Sequence, residues 1–309
     1  MKVIKKIKEM RHISQEVKSK GIAIGFVPTM GALHEGQLKL IDVAKKNADF
    51  IVVSIFVNPL QFGADEDFTA YPKTFSRDTK LLDSRGVDVL FTPSDKEMYL
   101  EGYETYVELP ELSSVLCGAS RPGHFRGVCT VVCSLFNIVA PSLAVFGEKD
   151  AQQLIIIKKM VRDLKLDIKI LSVPTVREPN GLAMSSRNVY LTDEERKDSA
   201  VLYQSLILAK KLVARGERKA EKIKAKMRAL ISSKPSAKID YIEIVRKNDL
   251  KQVETLEKMK IDVSQPFRVE IKDDFLIAVA VWFGKARLID NITLQIPKLS
   301  VSKNSKNYH

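Results

Sequence analysis

Short apolar runs alternate with longer amphipathic stretches through the first 175 residues of the chain. The runs are rich in β-branched residues and apolar at successive positions, which is typical of parallel strands covered on both faces. They predict five strands, at 22–27, 50–57, 87–91, 143–146 and 168–173. The intervening stretches predict helices at 37–47, 74–85, 126–139 and 150–165. The charged, amphipathic segment 1–17 is expected to form the first helix.

This alternation predicts a doubly wound α/β domain with a parallel sheet. In such sheets ligands bind beyond the carboxyl ends of the strands. Residues that directly follow a strand are therefore the first candidates for chemistry.

The pattern changes after a loop rich in Pro, Gly, Ser and Asn at 174–192. Thr192 and Glu195 have the spacing of a capping box, which predicts the start of a helix. Two lysine- and glutamate-rich helices over 193–232 are expected to follow, and then strands at 239–245, 275–282 and 287–293. The predicted organisation is a first domain at 1–176, a smaller α+β domain at 177–294 and a polar tail at 295–309 that is expected to fray.

Composition places the chain among globular proteins. Of its 309 residues, 45% are hydrophobic and 28% are charged. No apolar run reaches the roughly eighteen residues that a membrane span needs, and the N-terminal segment lacks the features of a signal peptide. Three cysteines without a CxxC pair suit a reducing compartment, so a cytoplasmic location is expected. Cys129 and Cys133 share one helix face and are expected in the core rather than at a metal.

The net charge of +12 would suit nucleic acid, a membrane surface or small anions as partners. The lysines are spread along the chain, however, and no basic stripe is interleaved with aromatic residues. A lysine-rich solvated surface is therefore expected, with neither nucleic acid nor membrane among the partners. The positive field would still favour a polyphosphate substrate.

The segment PTMGALHEGQ at 28–37 directly follows the first predicted strand. A glycine-bearing turn there would let backbone N–H groups approach an oxyanion, and the helix that follows would offer its N-terminus. His34 adds an imidazole to the same turn. The segment by itself predicts a phosphate-binding turn between a strand and a helix.

Neutral amides follow the second predicted strand in the segment VNPLQF at 57–62. Asn58 and Gln61 suit a substrate that carries hydroxyl or carboxylate groups, because an amide both donates and accepts without adding charge. Asn-Pro is equally a common turn sequence, so a purely structural role for Asn58 stays open.

Charged and hydroxyl side chains occupy two later segments. In FGEKDAQQ at 146–153, Lys149 suits a phosphate, and an acid suits ribose hydroxyls or Mg²⁺. In LAMSSRN at 182–188, two serines and an arginine suit a clamp over a polyphosphate. Each segment taken alone could also be a solvated strand end or loop. The sequence contains no P-loop, no GxGxxG fingerprint and no GxSxG elbow, and its four histidines do not form a metal-binding pattern.

Six segments, taken in order and spacing, resemble the pantothenate synthetase (pantoate–β-alanine ligase) family. They are VPTMGALHEG, SIFVNPLQF, YPKTFSRD, RPGHFRGV, FGEKDAQQL and GLAMSSRNVYL. The resemblance runs from about residue 3 to residue 293 and leaves the polar tail outside. It implies a Rossmann-like domain of the HxGH nucleotidylyltransferase type that binds ATP and pantoate, a small C-terminal lid domain, and a homodimer.

The resemblance implies a reaction in two steps. ATP and (R)-pantoate would give pantoyl adenylate and pyrophosphate with the help of Mg²⁺, and the amine of β-alanine would then release AMP and pantothenate. The implied ATP-binding residues are Met30, Gly31, Ala32, Leu33, His34, Glu35, Gly36, Gln37, Gly147, Glu148, Lys149, Asp150, Val176, Met184, Ser185, Ser186 and Arg187. The implied pantoate-binding residues are Gln61, Gln153 and Asn58, and Gln61 would also lie near β-alanine.

The resemblance also implies roles within this set. Asp150 would bind the ribose and Val176 would meet the adenine, while Mg²⁺ would be held through the ATP phosphates with no protein ligand assigned. None of the residues is a covalent nucleophile, so catalysis would come from alignment and from donors aimed at developing charge. The candidate catalytic residues are His34, Gln37, Lys149, Ser185 and Arg187.

Position 37 departs from the family, which has a histidine there as a proton donor or transition-state stabiliser. Gln37 can donate a hydrogen bond, but it cannot carry a positive charge or shuttle a proton near neutral pH. Loss of one preorganised donor typically costs roughly 10²–10³ in rate, so adenylation is expected to be slowed but not abolished. Two alternatives stay open: a catalytically impaired paralogue, and another HxGH nucleotidylyltransferase.

Overall fold

The computed structural model describes residues 1–64, 66–257 and 274–295. The larger domain contains a six-stranded parallel sheet in the order β1-β4-β3-β2-β5-β6, which confirms the predicted doubly wound architecture. The strands are β1 (Lys2–Ile4), β2 (Ile24–Thr29), β3 (Phe50–Ile55), β4 (Val89–Phe91), β5 (Leu143–Gly147) and β6 (Lys169–Val173).

The segment 1–17 is not a single helix, so the prediction for it was wrong. Its start forms β1, in which Val3 pairs with Leu90 of β4 and the Ile4 side chain is 1% exposed. Burial of this branched side chain between neighbours favours the extended form over a helical turn. The helix begins only at Ile7, whose backbone N–H donates to the Glu97 carboxylate at 2.9 Å.

Helices cover both faces of the parallel sheet. They are α1 (Ile7–Ser19), α2 (Glu35–Lys45), α3 (Phe75–Ser84), α4 (Asp95–Met98), α5 (Pro110–Ser113), α6 (Cys117–Ser120), α7 (His124–Val139) and α8 (Ala151–Asp163). The apolar faces of α1, α7 and α8 pack on one side of the sheet, and those of α2 and α3 pack on the other. The four helices predicted between strands are confirmed to within a few residues at each end.

The two cysteines predicted to share a helix face do so on α7. Cys129 is buried in the core and Cys133 is partly buried one turn further along. Burial raises the pKa of the Cys129 thiol to about 12, so it is a protonated packing residue.

The smaller domain joins three helices to an antiparallel sheet of three strands. The helices are α9 (Asp193–Ser199), α10 (Val201–Ala214) and α11 (Ala220–Ser232), where two had been predicted. The strands are β7 (Ala237–Arg246), β8 (Asp274–Phe283) and β9 (Ala286–Gln295), with β8 in the centre. Alternate residues of β8 face opposite ways: Ile277 packs with α10 and α11, whereas Leu276 joins the core of the larger domain. The small sheet is therefore packed on both sides.

The predicted capping box at the start of α9 is confirmed. The Glu195 backbone N–H donates to Thr192 Oγ1 at 3.2 Å, and the Thr192 N–H donates to the Glu195 carboxylate at 2.9 Å. Of the predicted polar tail, residue 295 ends β9, and residues 296–309 lie outside the described part of the chain. Among the described helices, none is both long and apolar enough to cross a membrane.

The chain reverses its direction of travel across the sheet between β2 and β5. From β2 it moves outward through β3 and β4, and it then returns to place β5 on the other side of β2. At such a switch point the loops beyond the two strands diverge and leave a crevice. The segments after β2, β3 and β5 therefore converge on one place.

A buried carboxylate shapes the turn that follows β2. Asp78 of α3 is fully buried and accepts hydrogen bonds from the backbone N–H groups of Ala32, at 2.8 Å, and Leu33, at 3.0 Å. Thr74 Oγ1 donates to the same carboxylate at 3.0 Å. Gly31 precedes these residues with a φ of +81°, where a side chain would be strained. Asp78 and Gly31 together fix the path of the chain from β2 into α2.

The Asp78→Asn substitution is expected to destabilise the protein by about 3 kcal/mol. The shape is kept, but the new NH₂ group faces a backbone N–H and leaves a buried donor without an acceptor. Urea unfolding followed by circular dichroism measures the loss. Asp83→Asn is the matched control, because the Asp83 carboxylate lies on the same helix and is 65% exposed. Equal stability of the two variants would contradict this account of the turn.

Candidate active site

A cavity of about 240 Å³ lies at the switch point of the sheet. Four segments that are far apart in the sequence line it: the turn after β2, the loop after β3, the segment after β5, and the loop before α9. The residues proposed from the sequence that line it are Met30, His34, Gly36, Gln37, Asn58, Gln61, Gly147, Lys149, Asp150, Gln153, Val176, Met184, Ser185, Ser186 and Arg187.

Five of the proposed residues do not line this cavity: Gly31, Ala32, Leu33, Glu35 and Glu148. The first three form the turn held by Asp78. Glu35 is exposed and its carboxylate lies 3.5 Å from Arg85. The Glu148 carboxylate accepts a hydrogen bond from the Ser172 hydroxyl at 3.0 Å, on the side of β6. The structure therefore does not bring these two carboxylates to the cavity.

Five backbone N–H groups of the turn, those of residues 31–34 and 36, are already engaged, which differs from the oxyanion cradle expected from the sequence. Ala32 and Leu33 donate to Asp78, while Gly31 donates to Thr29 Oγ1 at 3.2 Å. The N–H of Gly36 donates to His34 Nδ1 at 3.1 Å. The sequence did not identify Asp78 as a partner of the turn, because 46 residues separate it from Ala32. At this turn an anion would therefore meet side chains rather than a backbone cradle.

His34 is held as a neutral imidazole. Its Nδ1 accepts from the Gly36 N–H, so the ring proton sits on Nε2. Burial, reinforced by the positive charge of Lys149, lowers the pKa of His34 to about 4. The side chain therefore offers a neutral N–H donor to the cavity at physiological pH.

Gln37 has a structural task that the sequence alone did not reveal. Its Oε1 accepts from the His34 backbone N–H at 3.1 Å and completes a capping box at the start of α2. Because the amide oxygen is used in this way, the Nε2 amino group is the part of Gln37 that is left to donate into the cavity. The cap thus fixes both the position and the polarity of the side chain.

Asn58 is committed to holding the loop after β3. It is 1% exposed, and its Nδ2 donates to Gln61 Oε1 at 3.2 Å and to the Gly127 carbonyl at 3.1 Å. Its Oδ1 accepts from the Tyr99 hydroxyl at 2.7 Å. Gly127 permits this packing, because a Cβ there would lie 2.2 Å from the carbonyl oxygen of Leu60. Asn58 therefore orients Gln61 and has little hydrogen-bonding capacity left over.

Two arginines on the cavity wall are paired with acids from one short segment. Arg187 Nε donates to the Asp67 carboxylate at 2.9 Å, and Arg121 Nε donates to the Glu66 carboxylate at 2.6 Å. Burial alone would raise the pKa of Asp67, but the hydrogen bonds and charge of Arg187 outweigh it and hold that pKa below its usual value. Both pairs have the fork geometry that also fits a phosphate or a substrate carboxylate.

Sequence reasoning missed three ionisable residues of the cavity: Tyr71, Arg121 and His124. Arg121 and His124 belong to the RPGHF segment, which was used only for the resemblance because it follows no predicted strand. The one local sign of a functional role was an arginine and a histidine on either side of a Pro-Gly pair. Their role depends on Gln61, a contact across about 60 residues that no local pattern reveals.

The tautomer of His124 follows from its neighbours. Arg121 Nη1 lies 3.1 Å from His124 Nε2 and can only donate, so Nε2 accepts and the proton sits on Nδ1. That Nδ1–H donates to the backbone carbonyl of Gln61 at 2.8 Å. Burial, with the charge of Arg121, lowers the pKa of His124 to about 4. His124 thus links Arg121 to the backbone of Gln61.

One wall of the cavity is apolar. It is formed by Leu40, Phe56, Val128, Val131, Val132, Leu135, Val145 and Phe146. The polar groups of Gln61 and Gln153 line the same cavity. A site of this kind accepts a small branched molecule with a few hydrogen-bonding groups.

Comparison with known proteins shows which family the chain belongs to. The family model described as pantoate-beta-alanine ligase matches residues 2–293. The chain belongs to the pantoate–β-alanine ligase family. The pantothenate synthetase of Thermotoga petrophila is 53% identical over 294 residues, which span 95% of this chain and 100% of that protein. The pantothenate synthetase of Thermosipho africanus is 52% identical over the same shares.

Solved structures of ligases in this family have the same fold. The pantothenate synthetase of Thermus thermophilus superposes with a TM-score of 0.82 at 40% identity, covering 94% of this chain and 99% of that one. The ligase of Francisella tularensis, described as complexed with beta-gamma ATP and beta-alanine, gives 0.73 at 36% identity, covering 94% and 97%. The fold and the family resemblance predicted from the sequence are therefore confirmed.

The neutral state of His124 predicts a contribution to acid sensitivity. The pKa of His124 is about 6.5 in the unfolded chain, and burial lowers it to about 4 in the folded protein. The stability linked to neutral His124 is therefore fully present above pH 6.5 and is lost as the pH falls from 6.5 towards 4. In His124→Asn the pH-dependent part of this loss should be smaller than in wild type. Thermal melts across the window measure the difference.

His12→Asn is the control for this experiment, because His12 is exposed on α1. It should keep the wild-type pH dependence. An unchanged pH dependence in His124→Asn, or a His124 ring whose ¹⁵N shifts report titration near 6.5, would contradict the assigned neutral tautomer.

Proposed function

We propose that the chain condenses (R)-pantoate with β-alanine at the expense of ATP, and forms pantothenate, AMP and pyrophosphate through a pantoyl adenylate. The observation that carries the proposal is one cavity in which the amides of Gln61 and Gln153 and an apolar wall adjoin Lys149 and Arg187. The names of the relatives, and the ATP and β-alanine in the Francisella complex, support the same substrates.

The amide side of the cavity suits pantoate. Gln61 and Gln153 can donate to a carboxylate and accept from hydroxyls, while Val128, Val131 and Val132 can contact the two methyl groups. Asn58 would act by holding Gln61, through the 3.2 Å hydrogen bond between their side chains. β-Alanine would approach the same amide of Gln61.

The cationic side of the cavity suits ATP. Lys149 would contact a phosphate as a point charge, and Ser185, Ser186 and Arg187 would close over the phosphates from the loop before α9. His34 and Gln37 would donate neutral N–H groups to the same oxygens. Gly147 and Asp150 would meet the ribose, with Met30, Gly36, Val176 and Met184 completing the nucleotide pocket.

The chemistry requires alignment and charge stabilisation. A carboxylate oxygen of pantoate attacks the α-phosphorus, and the bond from that phosphorus to the pyrophosphate oxygen breaks. The β-alanine amine then attacks the acyl carbon, loses a proton, and displaces AMP. Negative charge grows on phosphate oxygens in the first step, where Lys149 and Gln37 would donate and Arg187 would do so on exchanging Asp67 for the phosphate.

Mg²⁺ fits this site as a companion of the nucleotide. Within the described residues no three His, Cys, Asp or Glu side chains gather to form a protein cage for a metal. Mg²⁺ commonly binds substrate phosphates and uses few protein ligands, so it would be held here through the ATP phosphates with no protein ligand assigned. The ion would neutralise charge on the phosphates.

We further propose a homodimeric assembly and a cytoplasmic location, without nucleic-acid or membrane partners.

Pyrophosphate release tests the proposed reaction. With ATP and (R)-pantoate alone, enzyme in substrate-level amounts should release about one pyrophosphate per site, and β-alanine should then allow turnover. Activity with CTP or with an alcohol phosphate in place of pantoate would favour another nucleotidylyltransferase. Tight ATP binding without any pyrophosphate release would favour an impaired paralogue. Either result would overturn the proposal.

Gln37→Glu isolates the donor function of position 37. A glutamate keeps the oxygen that caps His34, so the thermal midpoint should change little, but it replaces the donor with a negative charge facing the phosphates. Single-turnover adenylate formation should fall by roughly 10²–10³. Gln15→Glu, on the exposed side of α1, adds the same charge elsewhere and should keep the wild-type rate. An unchanged rate in Gln37→Glu would remove Gln37 from the catalytic set.

Gln37→His tests whether the family's histidine is superior in this site. It exchanges a neutral donor for one that can carry charge, so adenylate formation should become faster while the dissociation constant of ATP changes little. The same single-turnover assay measures it. An unchanged rate would mean that the surrounding donors already compensate.

A further inference from the structure

Asn291 of the smaller domain makes a contact with the proposed ATP site that sequence reasoning did not identify. It lies on β9, and its Nδ2 donates to the backbone carbonyl of Glu148 at 3.0 Å and to that of Lys149 at 2.8 Å. The two protons of one amide group thus hold two successive carbonyls of the larger domain.

These carbonyls belong to the single 3₁₀ turn Glu148–Asp150, which connects β5 to α8. The turn carries Lys149, the cation that lines the cavity beside His34. A hydrogen bond to each neighbouring carbonyl fixes the planes of the peptides that flank Lys149. The direction in which the Lys149 side chain leaves the backbone therefore depends on Asn291.

The neighbour of Asn291 anchors it firmly. Asp290 is 2% exposed and accepts two hydrogen bonds from Arg177, at 2.6 and 3.0 Å. The Arg177 guanidinium in turn lies over the Tyr203 ring at 3.9 Å. The Asn291 backbone N–H also donates to the Asp290 carboxylate at 2.8 Å. The amide of Asn291 is thus presented from a rigid strand.

The turn is also held from its other side, where Ser172 of β6 donates to the Glu148 carboxylate at 3.0 Å. That contact lies within the larger domain, whereas Asn291 belongs to the smaller one. The smaller domain thus supplies the contacts to the two carbonyls, while the 3.7 Å ion pair of Lys149 with Asp150 lies within the larger domain.

We propose that Asn291 is a positioning residue for the adenylation step, through which docking of the smaller domain sets the orientation of Lys149. The proposal rests on the proposed function of the site. Asn291 acts on the phosphates only through Lys149, so its effect should vanish when the lysine is absent.

Another contact between the domains supplies a matched control. The Ser120 hydroxyl of α6 donates to the Asp240 carboxylate of β7 at 3.1 Å, on an exposed surface and without touching Lys149. Ser120→Ala removes one hydrogen bond between the domains, whereas Asn291→Ala removes two, and it leaves the 3₁₀ turn untouched. Comparison of the two variants therefore shows whether a loss of rate comes from weaker contact between the domains or from a misplaced Lys149.

The experiment measures pantoate-dependent pyrophosphate release in single turnover, together with ATP and pantoate dissociation constants and the thermal midpoint. Asn291→Ala should lower the adenylation rate per bound ATP about 10-fold and leave pantoate binding unchanged, because a misplaced lysine weakens contacts to phosphate alone. Asn291→Gln, which keeps the amide, should recover part of the rate. Ser120→Ala should react at the wild-type rate.

A double-mutant cycle decides whether the effect runs through Lys149. In a Lys149→Met background, Asn291→Ala should cause no further loss of rate, whereas independent roles would add. Additive losses, or equal rates in Asn291→Ala and Ser120→Ala, would overturn the inference. Absence of pantoate-dependent pyrophosphate release in the wild type would instead overturn the proposed function, so the two failures are distinguishable.

Discussion

The site depends on the buried carboxylate of Asp78. A carboxylate buried away from water is tolerable only when donors surround it, and here two backbone N–H groups and the Thr74 hydroxyl do so. The same hydrogen bonds that satisfy Asp78 determine how the chain leaves β2 and enters α2. His34 and Gln37 lie at the start of that helix and line the crevice. Their positions therefore depend on Asp78 of α3, which holds the preceding turn.

Gln61 and Lys149 are held in the same indirect way. Asn58 fixes Gln61 by its side chain, His124 fixes the Gln61 backbone, and Asn291 fixes the turn of Lys149. Gln61 and Lys149, two of the residues proposed to touch substrate, are thus set by neutral amides and an imidazole. Neutral partners of this kind determine orientation without competing for the charge of a phosphate.

The sequence allowed the fold and most of the polar cavity residues to be predicted, because both follow local rules. A buried parallel strand has a recognisable pattern, and ligands collect where such strands end. What could not be predicted depends on distant pairs. The strand β1 is only three residues long, and it is recognisable only beside β4. The contacts Ala32–Asp78 and Lys149–Asn291 join segments 46 and 142 residues apart, and neither leaves a periodic trace.

The pairing of Arg121 with Glu66 and of Arg187 with Asp67 has a consequence for any anion that binds them. The guanidinium groups have already lost much of their hydration to carboxylates of their own chain. Binding is therefore an exchange of one oxyanion for another, in which the desolvation cost of the arginines has been met during folding. An incoming anion thus has to displace a carboxylate of the chain itself at either arginine.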